Sequence, residues 1–367
     1  MLKNELEKRQ SELIEALRFP LIVLVVFIHV LPERLLPIEM NFSGMNIYHV
    51  FSETISHIIG RIAVPCFFLF SGYFFFRKSG SCDFHFYRSQ LKKRCMTLVI
   101  PYFLWNALMI IAIYAKQYIF SLLSLEVKED GIFNIQNQSW VELFWLGPVD
   151  FPLWYLRDLI CMSLCAPLFY CLFRYLGRYG LLALLALYLT TWETRVPGFS
   201  MTAFFFFGAG AYWGIHKENL LRLSLEFSYE SGIGALLLLC CAIYNNGHEL
   251  GEYLVRLFIP FGIVSAINLM NRVIGSDFWK RKFCNLSVTV FFIYAIHEMY
   301  IINWTKGFFS RTFLVDSAGG LLLVYILTPV ITVTICLLLY YLLNRTTPKI
   351  LAFLVGGRVV TKISGGE

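Results

Sequence analysis

The sequence is poor in charge. Asp, Glu, Lys and Arg make up only 15% of its 367 residues, whereas 58% are hydrophobic, and the mean hydropathy is +0.65. Soluble domains carry about 25% charged residues. This shortage excludes an ordinary soluble domain and predicts an integral membrane protein, whose surroundings are the lipid bilayer.

The sequence also lacks the usual metal and redox patterns of cysteine. Its ten cysteines form no Cys-x-x-Cys pair and no spacing typical of metal ligands. Most lie inside apolar runs, where cysteine behaves as a small hydrophobic residue. We therefore expect no metal. We also expect no nucleic-acid partner despite the net charge of +7, because the basic residues are concentrated in alternate loops.

Signals of processing and of internal duplication are absent as well. No small-residue cleavage site follows the first apolar run, so we expect a retained first helix rather than a removed signal peptide. The chain shows no repeat, no low-complexity tract and no linker to a second domain. It therefore predicts a single membrane domain over residues 1–367, with a transmembrane core at about 17–343.

What is present is a series of apolar runs long enough, or nearly so, to cross a bilayer. They predict an all-α, polytopic membrane protein with about ten transmembrane helices. The approximate limits of the predicted spans are 17–36, 50–76, 96–120, 152–176, 179–193, 199–216, 229–245, 250–270, 283–305 and 319–343.

The basic residues predict the orientation of these spans. With the N-terminus in the cytoplasm, the inner segments hold 22 of the 31 Lys and Arg residues and the outer segments hold six. Because Lys and Arg favour the cytoplasmic side of a membrane, this split predicts an N-in/C-in topology. The long outer loop at 121–151 is acidic, and we expect it to fold over the outer mouth of the protein.

Two ionisable residues frame the start of the first span. Arg18 and His29 are eleven residues apart, which is about three helical turns, so both project from nearly the same face. With Arg18 at the membrane surface, His29 lies roughly 16 Å further in, near the bilayer midplane. An ionisable group there costs at least about 2 to 3 kcal/mol unless a cavity or partner compensates. The spacing therefore predicts a helix that lines a catalytic channel.

The second and third spans add further polar groups. Arg61 lies too deep in its span for easy access to the surface, so it needs a partner, and Ser71-Gly72 permits close approach of a neighbouring helix or ligand. Lys93 and Arg94 precede the third span, where the helix N-terminus also favours anions. Two simpler interpretations remain open. For Arg61 and Ser71-Gly72 the alternative is helix packing with one structural ion pair. For Lys93 and Arg94 the alternative is a signal for topology or a contact with lipid headgroups.

The ninth span contains Tyr294, His297 and Glu298. Tyr294 and His297 are three residues apart and share a helix face. Three polar groups deep in an apolar run indicate a polar cavity. The alternative is a buried histidine with a purely structural role.

Taken together, these stretches resemble the acyltransferase-3 family of membrane O-acyltransferases over residues 10 to 343. The motifs are Arg-x10-His from Arg18, Arg-x-x-Val-Pro-x-Phe-Phe-x-x-Ser-Gly-Tyr from Arg61, a basic cluster before Ile-Pro-Tyr, Trp-Tyr-Leu-Arg-Asp-Leu from Trp154, and Ile-Tyr-x-x-His ending at His297. The family implies a ten-span domain that moves an acyl group, usually acetyl, from cytoplasmic acyl-CoA to a sugar hydroxyl on the extracytoplasmic side. It also implies a multi-pass protein of a bacterial inner membrane.

The sequence departs from the family in one motif. Members often carry Arg-x-x-Arg at the inner end of the third span. Here Arg94 matches the first arginine, but Thr97 takes the place of the second. Lys92 or Lys93 could substitute, as point charges rather than bidentate forks. We expect no hydrolase-like domain to follow, unlike in some longer relatives, and we therefore expect transfer to be completed in the membrane domain or with a partner acyl-acceptor protein. The sequence leaves a homo-oligomer open.

The resemblance implies different roles for the candidate residues. Arg18, Lys93 and Arg94 would hold the phosphates of acetyl-CoA or another acyl-CoA, with Ser71 as a further cofactor contact.

The acyl chemistry would follow deeper in the channel. His29 would act as general base on the acceptor hydroxyl or carry the acyl group as nucleophile. Arg61 would stabilise the developing oxyanion, and Tyr294 and His297 would shape the acceptor side.

The alternative function from another class is a transporter of polysaccharide or lipid-linked sugar. Buried Arg and His also suit a permeation path. Many transporters, however, show repeated halves, and this sequence shows none. The acceptor glycan and the acyl chain are not encoded in any pattern that we recognise.

Overall fold

The computed structural model describes residues 2–32, 38, 41–78, 82–123 and 138–358. Over these residues every regular element is helical and none is a strand, which confirms the all-α prediction. The α-helices are α1 (Leu2–Ile28), α2 (Gly44–Glu53), α3 (Ala63–Phe76), α4 (Phe84–Arg94), α5 (Ile100–Leu122), α6 (Trp154–Leu164), α7 (Ala166–Leu176), α8 (Arg178–Leu189), α9 (Met201–Ile215), α10 (Leu220–Glu226), α11 (Ser228–Tyr244), α12 (Glu249–Val273), α13 (Asp277–Ser287), α14 (Val290–Ile296), α15 (Ile302–Phe309), α16 (Ala318–Thr346) and α17 (Pro348–Leu354).

Short π and 3-10 segments join several of these helices. The π segments are Thr54–Ile59, Cys95–Val99, Glu142–Leu146 and His297–Ile301, and the 3-10 segments are Gly60–Ile62, Phe151–Leu153 and Phe313–Asp316. The described part of the predicted outer loop at 121–151 is mainly its C-terminal end, since residues 124–137 lie outside the described residues.

Several helical segments are long and apolar enough to cross a membrane. Four continuous segments meet this requirement of length and hydropathy: Gly44–Phe76, Phe84–Leu122, Glu249–Val273 and Ala318–Thr346. Three bent pairs raise the number to seven if each pair is one span: Phe151–Leu164 with Ala166–Leu176, Leu220–Glu226 with Ser228–Tyr244, and Asp277–Ser287 with Val290–Phe309. The chain is thus a helical membrane protein, while the count of ten and the N-in/C-in orientation stay predictions.

The first helix differs from the predicted span at both ends. It includes the polar leader from Leu2 and ends at Ile28, not near residue 36. Leu31 precedes Pro32, and the residue before a proline avoids the α conformation. In addition, Lys306 Nζ donates to the carbonyl oxygen of His29 at 3.0 Å, where a cation suits the negative end of the helix. His29 therefore lies just beyond the end of α1 rather than inside a helix.

Two of the predicted spans are broken helices. The fourth is bent by 56° between α6 and α7, next to Pro167, which lacks a backbone N–H. The ninth is bent by 48° before α14 and is interrupted again at Met299 and Tyr300, where Tyr300 has φ +64°. A non-glycine residue at positive φ is strained. The backbone break thus follows directly after His297 and Glu298.

Helices α3 and α9 approach each other closely because glycines lie at their contact. A Cβ atom on Gly72 would lie 2.0 Å from the carbonyl oxygen of Phe207, and one on Gly210 would lie 2.0 Å from that of Leu69. Small residues let backbones meet at such distances. The close helix approach predicted at Gly72 is therefore confirmed.

Segments that were predicted to be cytoplasmic meet at one end of the molecule. The first half of α1 forms ion pairs with two of them, between Glu7 and Arg77 and between Glu12 and Lys280 at 3.9 Å. These contacts join the leader to the loops after the second and eighth predicted spans. Such a basic end agrees with the alternation on which the topology prediction is based.

Candidate active site

A cavity of about 1560 Å³ lies among α1, α3, α6, α12 and α14. Seven of the eight residues singled out from the sequence line it, although they are far apart in the chain. The seven are Arg18, His29, Arg61, Ser71, Lys93, Arg94 and Tyr294. The eighth, His297, is fully buried.

His29 presents one ring nitrogen to this cavity. Its Nδ1 lies 2.8 Å from the carbonyl oxygen of Val25. A carbonyl can only accept a hydrogen bond, so Nδ1 carries the hydrogen in the neutral ring and Nε2 has a lone pair. Nε2 lies 3.5 Å from Glu298 Oε2. The geometry therefore leaves Nε2 able to take up a proton beside a carboxylate.

His297 lies behind His29 rather than on the acceptor side of the cavity. Its Nδ1 is 3.0 Å from the carbonyl oxygen of Ile293 and 2.9 Å from that of Tyr294. The same reasoning leaves its Nε2 as an acceptor, and this atom is 3.5 Å from His29 Nδ1. We expected His297 to shape the acceptor side of the cavity. The structure instead places its ring against that of His29.

Glu298 and Lys306 belong to the same site, and neither of them was assigned a role there from the sequence. Both line the cavity; Glu298 faces His29 Nε2, and Lys306 binds the His29 carbonyl oxygen. Glu298 carried a local signal, since it is a carboxylate in an apolar run beside His297. Lys306 carried none, because a lysine outside a predicted span is common.

Arg61 has the partner that its depth required. It forms two bonds to the carboxylate of Glu252, at 2.6 and 2.7 Å, and Arg256 Nε donates to the same carboxylate at 3.0 Å. Such bidentate pairs fix the guanidinium plane. Arg61 and Glu252 both line the cavity, so the pair forms a charged part of its wall. A role for Arg61 at an oxyanion stays a prediction.

Tyr294 contributes a ring to the cavity wall. Its hydroxyl donates to the carbonyl oxygen of Pro152 at 2.5 Å, and its ring meets that of Tyr155 edge-on at 5.8 Å between centroids. This contact ties α14 to the start of α6. Because the hydroxyl is already bonded to the backbone, Tyr294 shapes the cavity rather than offering a free donor.

The other end of the cavity is basic. Arg94 donates to Ser71 Oγ at 2.6 Å and to the Ser71 carbonyl oxygen at 3.1 Å. Arg18 and Lys93 are exposed and line the same cavity. Ser71 therefore holds the guanidinium of Arg94, and the three cations suit a phosphorylated ligand.

A further cation reaches this end from beyond the last predicted span. Arg358 lines the cavity, and its guanidinium lies 3.9 Å from the centre of the Phe291 ring. Burial, with the Arg18 and Arg94 charges adding to it, lowers the pKa of Arg358 to about 10. Within the described residues, the ion pairs include none with Arg18, Arg94 or Arg358.

A buried carboxyl group lies near Glu298. Asp150 is 1% exposed, and its backbone N–H donates to Asn106 Oδ1 at 3.4 Å. Burial and the negative charge of Glu298 raise the pKa of Asp150 well above its ordinary value. This group precedes the 3-10 turn Phe151–Leu153, whose Phe151 ring meets His29 edge-on at 6.3 Å.

Three of these residues could in principle hold a metal ion. One ligand atom from each of His29, His297 and Glu298 lies within 4.8 Å of the others. However, His297 Nε2 is nearest to His29 Nδ1, which carries a hydrogen, so a hydrogen-bonded pair of rings accounts for this contact. The expectation of a metal-free site stays a prediction.

Comparison with known proteins gives matches that cover nearly the whole chain. Residues 12–341 match the model of the acyltransferase-3 family, which is described as an acyltransferase domain. The succinoglycan biosynthesis protein ExoH of Rhizobium meliloti (strain 1021) is 26% identical over 362 residues, which are 96% of this chain and 94% of ExoH. No solved structure matches the chain.

Proposed function

Because the chain belongs to the acyltransferase-3 family, we propose that it moves an acyl group, in the first instance acetyl, from cytoplasmic acyl-CoA to a glycan hydroxyl. The acceptor is a cell-surface glycan or glycolipid on the extracytoplasmic side of a bacterial inner membrane. The family match favours this function over the transporter that the sequence left open. A polysaccharide acceptor is supported by the name of ExoH, a succinoglycan biosynthesis protein.

One observation carries the proposal: a single cavity is lined both by a cluster of cations and by His29. Arg18, Lys93 and Arg94 bind the phosphates of CoA, and Ser71 holds Arg94 in place. The helical rise separates Arg18 from the end of α1 at Ile28 by roughly 15 Å, and His29 follows Ile28 directly. The pantetheine arm extends along this length, so the thioester comes to lie beside His29.

His29 then acts as general base. Nε2 takes the proton of the acceptor hydroxyl while the hydroxyl oxygen attacks the thioester carbonyl carbon. Glu298 faces the nitrogen that becomes charged, so it stabilises the imidazolium. When the tetrahedral intermediate collapses, the carbon–sulfur bond breaks, and the proton passes from Nε2 to the leaving thiolate of CoA.

The other cavity residues position the reactants. Tyr294 closes the wall between α14 and α6, and the Arg61–Glu252 pair offers hydrogen-bonding groups of the kind that bind sugar hydroxyls. If Arg61 leaves Glu252 in the transition state, it can donate to the oxyanion. A homo-oligomer, or a partner acyl-acceptor protein, remains compatible with this arrangement.

The test compares His29→Ala with His216→Ala. His216 is a matched control, because its Nδ1 also lies 2.8 Å from the carbonyl oxygen four residues earlier, yet the residue is exposed and does not line the cavity. Mass spectrometry of surface glycans should show loss of the acyl group with His29→Ala and no change with His216→Ala. Removing a general base should cost at least about 100-fold in rate.

Two results would contradict the proposal. One is a His29→Ala protein that inserts normally and acylates at the wild-type rate. The other is a purified wild-type protein that does not bind labelled acetyl-CoA. An acyl group trapped on His29 would instead keep acyl transfer but change its role from base to nucleophile.

A further inference from the structure

The segment after α17 returns to the basic end of the cavity. It turns at Gly356 and Gly357, which both have φ +70°, a backbone conformation that glycine adopts readily. A Cβ atom at Gly356 would lie 2.9 Å from the carbonyl oxygen of Met96, so only a residue without a side chain fits there. The turn delivers Arg358 to the N-terminal end of the third predicted span.

Arg358 makes its contacts at the place where the third span lacks an arginine. One guanidinium nitrogen of Arg358 donates to the carbonyl oxygen of Thr97 at 3.0 Å, and another donates to that of Val355 at 2.7 Å. Thr97 itself turns its hydroxyl to the carbonyl oxygen of Lys93 and brings no charge. Arg358 therefore places a cation beside residue 97, from a different part of the chain.

The side chain is held firmly enough to form a binding site. Its guanidinium stacks on Phe291 at 3.9 Å from the ring centre, which is a favourable cation–π contact. The preceding helix is anchored as well, because Trp105 Nε1 donates to the carbonyl oxygen of Leu354 at 3.0 Å. These contacts fix the segment against α5 and α14.

The charges around Arg358 point to an anionic ligand. Arg18, Arg94 and Arg358 line one cavity, and among the described residues no carboxylate forms an ion pair with any of them. Glu15, one helical turn before Arg18, lines the same cavity and is a carboxylate whose charge acts on Arg18. Like charges brought together in a half-buried site repel one another, and a phosphorylated ligand removes that repulsion while accepting bidentate bonds.

We propose that Arg358 completes a three-guanidinium site, with Arg18 and Arg94, for the phosphates of acyl-CoA. It takes the role of the arginine that is absent at Thr97. This inference rests on the proposed function, since it names the part of the donor that this end of the cavity binds. Anionic lipid headgroups share the same phosphate chemistry, so the test must separate the two sources.

The experiment uses the full chain purified in neutral detergent and measures CoA binding by calorimetry. Arg358→Ala should weaken CoA binding roughly 10- to 100-fold, as expected when a hydrogen-bonded charge is removed. Arg358→Ala combined with Thr97→Arg should regain most of the affinity, because the second substitution restores a guanidinium at the same point. Arg345→Ala is the control, since Arg345 is exposed near the end of α16 and should bind like the wild type.

A second arm tests lipid by measuring retention of phosphatidylglycerol and phosphatidylcholine during purification. Unchanged CoA affinity in Arg358→Ala overturns the inference, and it does so equally if this variant loses only phosphatidylglycerol. Failure of Thr97→Arg to restore affinity in a folded double variant also overturns it. If the wild-type protein itself does not bind CoA, the proposed function fails, which is a different result from failure of Arg358 alone.

Discussion

His297 is one of two groups that favour the tautomer of His29 with Nε2 toward the cavity. Its Nε2 accepts from His29 Nδ1 at 3.5 Å, and the carbonyl oxygen of Val25 accepts from the same Nδ1 at 2.8 Å. Both contacts favour the tautomer that leaves Nε2 as the base. His297 does not line the cavity and so acts through His29, as a positioning residue.

We predict that His297→Ala lowers kcat for acyl transfer without a change in KM for acyl-CoA. The loss should be smaller than the loss of about 100-fold or more expected for His29→Ala, because the base remains but its orientation is less well fixed. His297→Gln should retain most activity, since the amide oxygen can accept from His29 Nδ1. Equal kcat in wild type and a correctly folded His297→Ala would contradict this role.

The ionisation of Asp150 should make the stability of the folded protein depend on pH. Its pKa in the folded protein is raised by burial and by Glu298, whereas the pKa of an unfolded Asp is about 3.9. Between these two pKa values the folded state binds more protons than the unfolded state. Stability therefore falls as pH rises from about 4 toward the folded pKa.

Asp150→Asn should remove this pH dependence, because the amide has the same shape and does not ionise. We predict that the melting temperature of the wild type falls relative to that of Asp150→Asn as the pH is raised from about 4 to 8. Thermal unfolding in detergent measures the two melting temperatures. Asp316→Asn is the control, since Asp316 is exposed, and parallel curves for wild type and Asp150→Asn would contradict the prediction.

At the scale of the element, the contact between α3 and α9 determines where Ser71 lies. Gly72 on α3 packs against the backbone of Phe207 on α9, and Ser71, its neighbour, faces the cavity and bonds to Arg94. Helices held at this distance by small residues cannot accommodate an added methyl group without separating. The packing of Gly72 against α9 therefore fixes the position of Ser71, the proposed cofactor contact on the neighbouring face of α3.

We predict that Gly72→Ala destabilises the protein by about 1 to 3 kcal/mol or more, the usual cost of overpacking. It should also weaken acyl-CoA binding, because Arg94 loses the position that Ser71 gives it. Gly232→Ala is the matched control: nothing lies within 4 Å of an added Cβ there, and alanine in a helix interior stabilises by about 0.5 to 1 kcal/mol. A Gly72→Ala protein with the stability of Gly232→Ala would rule out this account.

The helical elements also show which features the sequence could predict. Arg18 and His29 belong to one stretch, so the period of a helix was enough to place them on one face, and both line the cavity. The ion pair of Arg61 followed from its depth, but Glu252 could not be named from a local pattern. Glu298, Lys306 and Arg358 reach the site through packing between distant segments, and helical periodicity carries no information about such contacts.

The end of α1 shows a different limit. An apolar run predicted a helix to residue 36, but the helix stops at Ile28. Hydropathy measures the preference of a segment for lipid, not its backbone conformation, and Pro32 is the local signal that ends it. The prediction thus gave the direction of His29 but not its place beyond the helix terminus.

At the scale of the whole molecule, the basic end of the cavity bears on the number of spans. Arg18 lies in the first helix and Arg358 follows the last long helix, yet both line the same end of the cavity. Segments before the first span and after the last can meet only on one side of a membrane, so this arrangement predicts an even number of crossings. Seven candidate spans would place the two ends on opposite sides. The predicted number of ten would be reached if α1 and the two shorter apolar helices, Arg178–Leu189 and Met201–Ile215, also cross.

We therefore predict that both termini lie in the cytoplasm, which the split of 22 inner to six outer basic residues also favours. A green fluorescent protein fused at the C-terminus should fluoresce, whereas alkaline phosphatase fused there should be inactive. Alkaline phosphatase inserted after Asp316, in the predicted outer segment before α16, should be active. Active phosphatase at the C-terminus would give an odd number of crossings and would separate Arg358 from cytoplasmic acyl-CoA. In that case both the orientation and the anion site built on it would be wrong, while the contact of His29 with His297 and Glu298 would stand.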